Sequence, residues 1–321
     1  MRVFSTKKIV EGSILSALFF ILSLSSIYLP LVGIFLSFLS PLPILILTIR
    51  QGLKISFFST IIGALLIALF SNFFQGIFVF FQFGILGMVL GYTILKGFDI
   101  YKIFIIGVIV SLISKGIIIV LGMWITGINP LTINLSSMEK SLSSAFKMYS
   151  KMGIPEESLK NIESSFKQAL KFVKIALPSI FILASIFDVF LNYTVSSIIL
   201  KKLEYDVPKL PRFRELRGSL TFAVGFFGGI ILTIFFWHIP ILYKIGVNLQ
   251  LFFTIIFFIL GISLVSYILY KFNVPSYVKI LIYFLLIFQP LFAQITLWAG
   301  FLDVFFDFRA IIENKFKNKG R

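Results

Sequence analysis

The chain is built from long apolar stretches that recur from near its start to near its end. A helix that crosses the hydrocarbon core of a bilayer needs about 20 mostly apolar residues. Lipid offers no hydrogen-bond partner to an unpaired backbone amide, so these stretches are predicted to be helices. The nine stretches are 11–29, 31–49, 53–71, 75–95, 103–125, 174–200, 218–237, 248–270 and 278–302. The sequence therefore predicts an all-α fold, a polytopic transmembrane helical bundle.

Composition and charge exclude several classes of function. Of the 321 residues, 59% are hydrophobic and 13% are charged, and the net charge is +16. Most lysines and arginines lie in short loops and at the chain ends, which is typical of membrane topology signals rather than of a nucleic-acid site. The chain has no cysteine and a single histidine, His238, so we expect no disulfide, no metal site and no cofactor. The candidate partners are the lipid bilayer, membrane proteins and a small-molecule ligand.

Positive residues predict the orientation of the spans. Arg2, Lys7 and Lys8 precede the first span, which places the N-terminus in the cytoplasm. Basic residues that follow spans two, four and six fall on the same side. The side of the C-terminus stays open, because proline in Gln289-Pro290 makes 278–302 either a full span or a re-entrant segment. The expected location is the cytoplasmic (plasma) membrane of a bacterium, crossed several times.

One long polar interruption separates spans five and six. Residues 129–174 contain two amphipathic segments, SSMEKSLSSAFKMYSKM and PEESLKNIESSFKQALKFVK. They predict an extracytoplasmic helical hairpin, which either lies on the membrane surface or covers an outward-facing cavity. The predicted organisation is a six-helix membrane unit over 1–205, a basic cytoplasmic loop over 206–217, and C-terminal membrane helices with a basic tail over 218–321.

Ionisable and amide side chains lie inside the predicted spans. A lone lysine such as Lys115 costs roughly 2.5–3.5 kcal/mol at the centre of a span on insertion scales. With a helical rise of about 1.5 Å per residue, Lys115, Asp188 and Gln82 lie at about the same depth, which predicts a Lys115–Asp188 ion pair. The candidate ligand-binding residues are Lys115, Asp188, Asn192, Gln82, Gln75 and Asn72. The alternative is a structural salt bridge, with the amides joining neighbouring helices.

Two further features are candidates for contact with a partner. Three arginines, Arg212, Arg214 and Arg217, cluster in the basic loop. They are predicted to contact a partner protein or anionic lipid headgroups, with ordinary anchoring on the cytoplasmic side as the alternative. Ser13 and Ala17 are four residues apart in span one, a small-xxx-small step that lets another helix approach closely.

Four stretches carry a resemblance to a known family. They are KKLEYDVPKLPRFRELRG, AGFLDVFFDFRAI, TKKIVEGSILSALFF and LPSIFILASIFDVFLNY. All four resemble signatures of the YybS-like family, bacterial multi-pass membrane proteins of unknown function. The family has no settled activity, so this resemblance implies a membrane fold but no substrate.

The first six spans are also distantly similar in layout to the substrate-capture components of energy-coupling-factor vitamin transporters. In those proteins a small-xxx-small motif of the first helix faces the energising partner, and Ser13 and Ala17 occupy a comparable place here. The three C-terminal spans and the long hairpin depart from that layout. Vitamin uptake would therefore rest on fold analogy alone.

The sequence contains no motif of a catalytic site. There is no G-x-S-x-G, no H-E-x-x-H and no phosphate-binding loop, so we expect neither an enzyme nor an ATPase activity. The first functional hypothesis is a membrane subunit that binds or transports a small solute. The alternative is a non-transporting scaffold for envelope or sporulation machinery, with the loop from Lys201 to Arg217 as its cytoplasmic handle.

The predicted topology can be tested with single cysteines at Ser5 and Ser158, because the chain has no other cysteine. In intact cells a membrane-impermeant thiol reagent should label the cysteine at position 158 and spare the one at position 5. Permeabilised cells, in which both should react, are the control. Labelling of position 5 alone in intact cells would reverse the topology.

Overall fold

The chain folds into helices joined by short connections. This computed structural model describes residues 6–127 and 156–319, and those residues contain no β-strand. The helices are α1 (Thr6–Tyr28), α2 (Val32–Leu39), α3 (Leu42–Gln51), α4 (Leu53–Phe70), α5 (Phe73–Val79), a π-helical segment (Phe80–Ile85), α6 (Leu86–Leu95), α7 (Ile100–Thr126), α8 (Glu156–Lys202), a 3₁₀ turn (Phe213–Glu215), α9 (Leu220–Phe235), α10 (Pro240–Lys271), α11 (Ser276–Phe288), α12 (Pro290–Phe306) and α13 (Phe308–Lys319). Helices cover all nine predicted stretches, so the prediction of an all-α polytopic fold is confirmed.

Seven helical segments of the described residues are long and apolar enough to cross a membrane by themselves. Two of these segments are composite, since α2 continues into α3 and α5 continues through the π-helical segment into α6. The apolar helix α9 has only 16 residues, or about 24 Å at 1.5 Å per residue. That length falls short of the hydrocarbon core, which is about 30 Å thick.

The last predicted span, 278–302, is bent rather than straight. Helices α11 and α12 meet at an angle of 96°. The residue before a proline is forced away from helical geometry, and Gln289, which precedes Pro290, has φ −97° and ψ 114°. Residues 278–302 therefore form either a broken span or a re-entrant loop, as the proline predicted.

The second amphipathic segment of the predicted hairpin is helical, but it is not separate from the sixth span. Both belong to α8, which runs without interruption for 47 residues. The predicted boundary between hairpin and span at residue 174 is therefore not a break in the helix, and its position stays a prediction. No glycine stands between the polar and the apolar part of this helix. The first amphipathic segment, within 129–155, lies outside the described residues.

A proline inside α8 is accommodated by an asparagine of α10. Pro178 has no N–H, so the backbone ladder of α8 is interrupted around it. Asn248 Nδ2 donates to the carbonyl of Ile175 (2.7 Å), and Asn248 Oδ1 accepts from the backbone N–H of Ser179 (2.9 Å). The hydroxyl of Ser179 donates in turn to the carbonyl of Asn248 (2.7 Å). The amide thus satisfies backbone groups that lipid would leave without partners.

The chain divides into two compact units. The first unit combines the described part of Met1–Leu170 with Phe181–Leu210, and the second combines Lys171–Ile180 with the described part of Pro211–Arg321. In the first unit a core of aliphatic side chains joins α3, α6, α7 and the C-terminal half of α8. Its buried members are Leu45, Ile46, Ile49, Leu86, Leu90, Ile94, Ile103, Val189, Tyr193, Leu200 and Val207. This core holds together the helices that carry the polar residues described below.

Helices of the second unit approach each other through glycines. A Cβ atom added to Gly300 of α12 would overlap the carbonyl oxygen of Phe257 in α10, and one added to Gly261 of α10 would overlap the carbonyl oxygen of Thr296 in α12. Both positions therefore exclude any side chain. Without a hydrophobic force between helices in lipid, such close backbone contact is a main source of association.

Replacing Gly300 with alanine should destabilise the second unit, because the new methyl group would overlap a backbone atom that cannot rotate away. Overpacking of this kind typically costs about 1–3 kcal/mol. Thermal unfolding of purified protein in detergent would measure the loss. Gly228→Ala is the matched control, since no atom lies within 4 Å of a Cβ there. Equal melting temperatures for the two variants would contradict the close packing of α10 and α12.

Candidate functional site

A buried carboxylate is the centre of the polar cluster in the first unit. Asp188 of α8 is 9% exposed. Its Oδ2 accepts hydrogen bonds from Lys115 Nζ (2.5 Å), Gln82 Nε2 (3.0 Å) and Ser111 Oγ (3.2 Å). The predicted Lys115–Asp188 ion pair is therefore present, and Gln82 joins it. The equal depth calculated from the helical rise therefore predicted the contact of these three residues correctly.

Spacing along α7 and α8 explains how the cluster forms. Ser111 precedes Lys115 by four residues on one face of α7, and Lys115 Nζ also donates to Ser111 Oγ (2.6 Å). Gly107 lies one turn earlier on that face, where a Cβ would lie 3.0 Å from Val189 Cγ2 of α8. Small residues at these positions let α8 approach α7 closely, and the lysine reaches the carboxylate across this contact.

Gln82 is positioned by the π-helical segment, Phe80–Ile85. A π-helix bonds each residue to the fifth one along rather than the fourth, and single turns of this kind occur inside α-helices, frequently at functional sites. The extra residue in the turn changes the direction of the side chains that follow. Gln82 is thereby directed towards Asp188, on a helix whose two flanking parts are ordinary α-helix.

The carboxylate and the backbone carbonyl of Asp188 each fix the orientation of one amide. A carbonyl or carboxylate oxygen only accepts hydrogen bonds, so the nitrogen of each amide must face it. Gln82 therefore directs Nε2 at Asp188 Oδ2, and Asn192 directs Nδ2 at the carbonyl of Asp188 (2.9 Å). Asn192 is 1% exposed, and its Oδ1 has no hydrogen-bond partner among the described residues. A buried polar atom without a partner is rare and costs about 1–3 kcal/mol.

A cavity of about 100 Å³ adjoins this cluster. It is lined by Ser37, Phe38, Pro41, Phe78, Gln82, Phe83, Leu86, Asp188 and Asn192. Three of these side chains are phenylalanines, and three are the polar groups just described. The unpartnered oxygen of Asn192 therefore belongs to a residue that lines a partly open space beside an ion pair.

Two of the predicted ligand-binding residues do not join the cluster. Asn72 is exposed and caps the N-terminus of α5, where its Oδ1 accepts from the backbone N–H of Gln75 (2.9 Å). Gln75 lies seven residues before Gln82, and neither Asn72 nor Gln75 lines the cavity. Ser111 and the phenylalanines were not predicted. Ser111 had a usable signal, because it lies four residues from Lys115 on the same helical face.

Ser13 and Ala17 line a second, more apolar space. They are exposed on a groove of about 540 Å³ between α1 and α4, together with Gly12, Ser16 and Gly63. The small-xxx-small step in α1 is therefore not covered by the described residues of the first unit. Contact of Ser13 and Ala17 with a partner remains a prediction.

The three arginines of the basic loop have partners within the second unit. The guanidinium of Arg214 lies 3.5 Å from the ring centroid of Tyr270, and Arg217 Nη1 donates to Asp307 Oδ2 (2.8 Å). Arg212 is the most exposed and lies 3.5 Å from Glu215. Their predicted contact with a partner or with lipid headgroups is untested.

Arg309 of α13 holds the base of this loop. Its side chain is fully buried, and it donates to the carbonyl of Arg214 (2.8 Å) and to Ser263 Oγ (3.1 Å). Nε lies 3.3 Å from Asp303 Oδ2 without making a hydrogen bond, so that contact is ionic only. Burial lowers the pKa of Arg309, and the negative charge of Asp303 opposes this shift. The residue stays charged and fixes the loop to α10.

A metal site is not formed by the described residues. Within 6–127 and 156–319, no three histidine, cysteine, aspartate or glutamate side chains come together as ligands would. The cluster around Asp188 contains one carboxylate, one ammonium group, two amides and one hydroxyl. Its chemistry is hydrogen bonding and charge pairing.

Comparison with known proteins gives the family. Residues 17–304 match the family described as predicted membrane protein, DUF2232. The chain belongs to this family. It is also 26% identical over 310 residues to the uncharacterized protein YybS of Bacillus subtilis (strain 168), an alignment that covers 95% of this chain and 98% of that protein. The YybS-like resemblance is therefore confirmed. No solved structure matches the chain, so the similarity to energy-coupling-factor components stays a prediction.

The Lys115–Asp188 pair should show strong coupling in a double-mutant cycle. Lys115→Met and Asp188→Leu should each cost about 3–5 kcal/mol, because each leaves one buried charge unpaired. The double variant should lose much less than the sum of the two. Thermal unfolding in detergent would measure all three.

Lys102 and Asp99 provide the matched control for this cycle. They also form an ion pair, at the N-terminal end of α7 (3.1 Å), but their side chains are 69% and 49% exposed. Exposed pairs couple weakly because water screens them, so Lys102→Met and Asp99→Leu should combine additively. Additive effects at Lys115 and Asp188 as well would contradict the buried pair.

Proposed function

We propose that this membrane protein binds a small polar solute at the cavity beside Asp188, as a binding or transport subunit. The observation that carries the proposal is the unpartnered Oδ1 of Asn192, a buried acceptor on a residue that lines the cavity. A structural salt bridge alone would account for Lys115 and Asp188. It would not account for an adjoining space, an unsatisfied amide and a π-helical segment in the same place.

The size of the cavity limits the solute. A water molecule occupies about 30 Å³ of liquid, so a space of about 100 Å³ holds a group of only a few heavy atoms. Sites for larger organic ligands measure about 300–1,000 Å³. A vitamin does not fit this space, which argues against direct transfer of the vitamin-transporter function even if the layout of the first six helices is similar.

The proposal also includes a membrane topology and a surface for a partner protein, but no catalytic activity. The N-terminus is assigned to the cytoplasm of a bacterial cell, from the basic residues before α1. An energising partner would contact α1 at the groove that contains Ser13 and Ala17. The protein is assigned neither a catalytic step nor an ATPase activity.

The scaffold hypothesis is supported by one feature of the second unit. The loop segment Phe213–Glu215 is fixed by Arg309 and by the packing of Arg214 on Tyr270, while the side chain of Arg212 is 69% exposed. A rigid basic loop is suited to docking a cytoplasmic protein. This hypothesis needs no ligand at Asp188, so the two functions can be separated by experiment.

Mass spectrometry of gently purified protein tests the proposal. A small molecule should be enriched in extracts of the wild type and lost from Asn192→Leu, which removes the unpartnered acceptor and keeps the number and branching of the side-chain heavy atoms. Thr194→Val is the matched control, because Thr194 lies on the same helix and, like Asn192, donates to a carbonyl four residues earlier (2.6 Å). Retention of a protein complex with no small molecule in any sample would contradict solute binding and favour the scaffold.

A further inference from the structure

We infer that α11 and α12 form a re-entrant hairpin, which enters the membrane and leaves it again on the side of the basic loop. This inference goes beyond the proposed function, since it needs no ligand. The 96° bend between the two helices is compatible with a re-entrant hairpin and with a broken span that crosses the bilayer. These alternatives place the end of α12 on opposite sides of the membrane, and contacts within the second unit distinguish them.

The chain enters the α11–α12 hairpin on the side of the basic loop. Helix α9 runs away from this loop and α10 runs back, because Gly229 and Gly246, each six residues from the connection between the two helices, pack against each other. At the end of α10 the ring centroid of Tyr270 lies 3.5 Å from the guanidinium of Arg214. Helix α11 begins at Ser276, and the six residues from Tyr270 span at most about 21 Å even when fully extended. That distance is too short to cross the hydrocarbon core.

The chain also leaves the α11–α12 hairpin beside the basic loop. Immediately after α12, Asp307 Oδ2 accepts a hydrogen bond from Arg217 Nη1 (2.8 Å). Two residues further on, Arg309 Nη1 donates to the carbonyl of Arg214 (2.8 Å). Arg214 is the residue whose side chain packs on the end of α10. The chain segments on both sides of the hairpin therefore contact the same loop residue.

A complete crossing is incompatible with these contacts. The hydrocarbon core is about 30 Å thick, so the end of a crossing segment would lie beyond the reach of the arginine side chains in the loop. The legs of the hairpin are shorter than this core, since the 13 residues of α11 and the 17 of α12 rise about 20 Å and 26 Å. Helix α12 packs through Gly300 on Gly261, ten residues before the end of α10, so this leg lies inside the bundle and not on the membrane surface.

Charged residues lie only at the two ends of the α11–α12 hairpin. No residue between Lys279, near the start of α11, and Asp303, near the end of α12, is charged. A charge inside hydrocarbon is costly, so the bend and both legs can enter the membrane while the charged ends stay at one interface. The side chains that flank the bend suit lipid as well, because Phe288 and Leu291 are apolar and 68% and 64% exposed.

The re-entrant arrangement also agrees with the charge of the C-terminal tail. On the predicted topology, the eight spans before 278–302 return the chain to the cytoplasmic side, and nine complete spans would place the tail outside. A hairpin that returns to its own side leaves the tail in the cytoplasm. The tail contains Lys315, Lys317 and Lys319, and positive residues are typical of the cytoplasmic side.

Single-cysteine labelling of the full-length protein in cells tests the side on which the hairpin ends. The variants are Glu215→Cys in the basic loop, His238→Cys between α9 and α10, and Glu313→Cys in α13, all at exposed positions. In intact cells a membrane-impermeant thiol reagent should label position 238 and spare positions 215 and 313, and all three should react after permeabilisation. If the whole protein has the opposite orientation, positions 215 and 313 still react alike. Labelling of position 313 together with 238, but not 215, would overturn the inference.

A cysteine beside the bend tests whether the hairpin enters the membrane. The thiolate is the reactive form of cysteine, and hydrocarbon does not stabilise its charge. Leu291→Cys should therefore lose its reaction with maleimide in intact and in permeabilised cells, and regain it after denaturation in detergent. Tyr277→Cys, at the exposed start of α11, is the control and should react in permeabilised cells. Reaction of position 291 at the rate of position 277, or from the outside of intact cells, would overturn the inference. Phe288→Cys replaces Leu291→Cys if that variant does not accumulate.

Discussion

A single carboxylate in a medium of low dielectric constant organises the first unit. Inside a bilayer Asp188 cannot obtain hydrogen bonds from water, so the protein must supply them. Three side chains donate to the carboxylate, from α7 and from the π-helical segment, while Asn192 of α8 donates to the backbone carbonyl of the same residue. Because each amide must direct its nitrogen at Asp188, its oxygen is directed elsewhere. The orientation of the Gln82 amide is thus a consequence of stabilising the charge.

The two units are held together internally by different means. In the first unit an aliphatic core and a polar cluster join the helices, and the polar contacts specify which helices meet. In the second, glycines bring the backbones of α10 and α12 into contact, and phenylalanines such as Phe257 and Phe301 pack around them with ring centroids 5.1 Å apart. The buried side chain of Arg309 links α13 to the loop before α9. Lipid removes the hydrophobic force between helices, and each unit replaces it with short-range contacts.

Much of the fold could be predicted from sequence because two quantities are constant, the thickness of the bilayer and the rise of a helix. They located the spans and matched Lys115, Asp188 and Gln82 in depth. Features that depend on local geometry were less accessible. Composition does not distinguish the π-helical segment from α-helix. A polar residue such as Asn72 suits a helix cap as well as a binding site, and its residue type alone does not decide between the two. The 96° bend was signalled by Pro290, but the continuity of α8 through Pro178 depends on Asn248, which is 70 residues further along the chain.

The π-helical segment also separates two parts of its helix that pack against different neighbours. Before it, Gly76 of α5 faces α4, where an added Cβ would lie 2.7 Å from the carbonyl oxygen of Ala64; after it, Gly87 of α6 faces α3, at 2.5 Å from the carbonyl oxygen of Pro41. Loss of one residue from a regular α-helix turns everything beyond it by about 100°. The extra residue of a π-turn bulges out of the helix, so its loss from Phe80–Ile85 would restore regular α-helix and leave both faces directed at their neighbours. A change of length elsewhere in a transmembrane helix disturbs every contact beyond it. In this π-helical turn, by contrast, the helix could gain or lose a residue during evolution while the parts on either side keep their contacts.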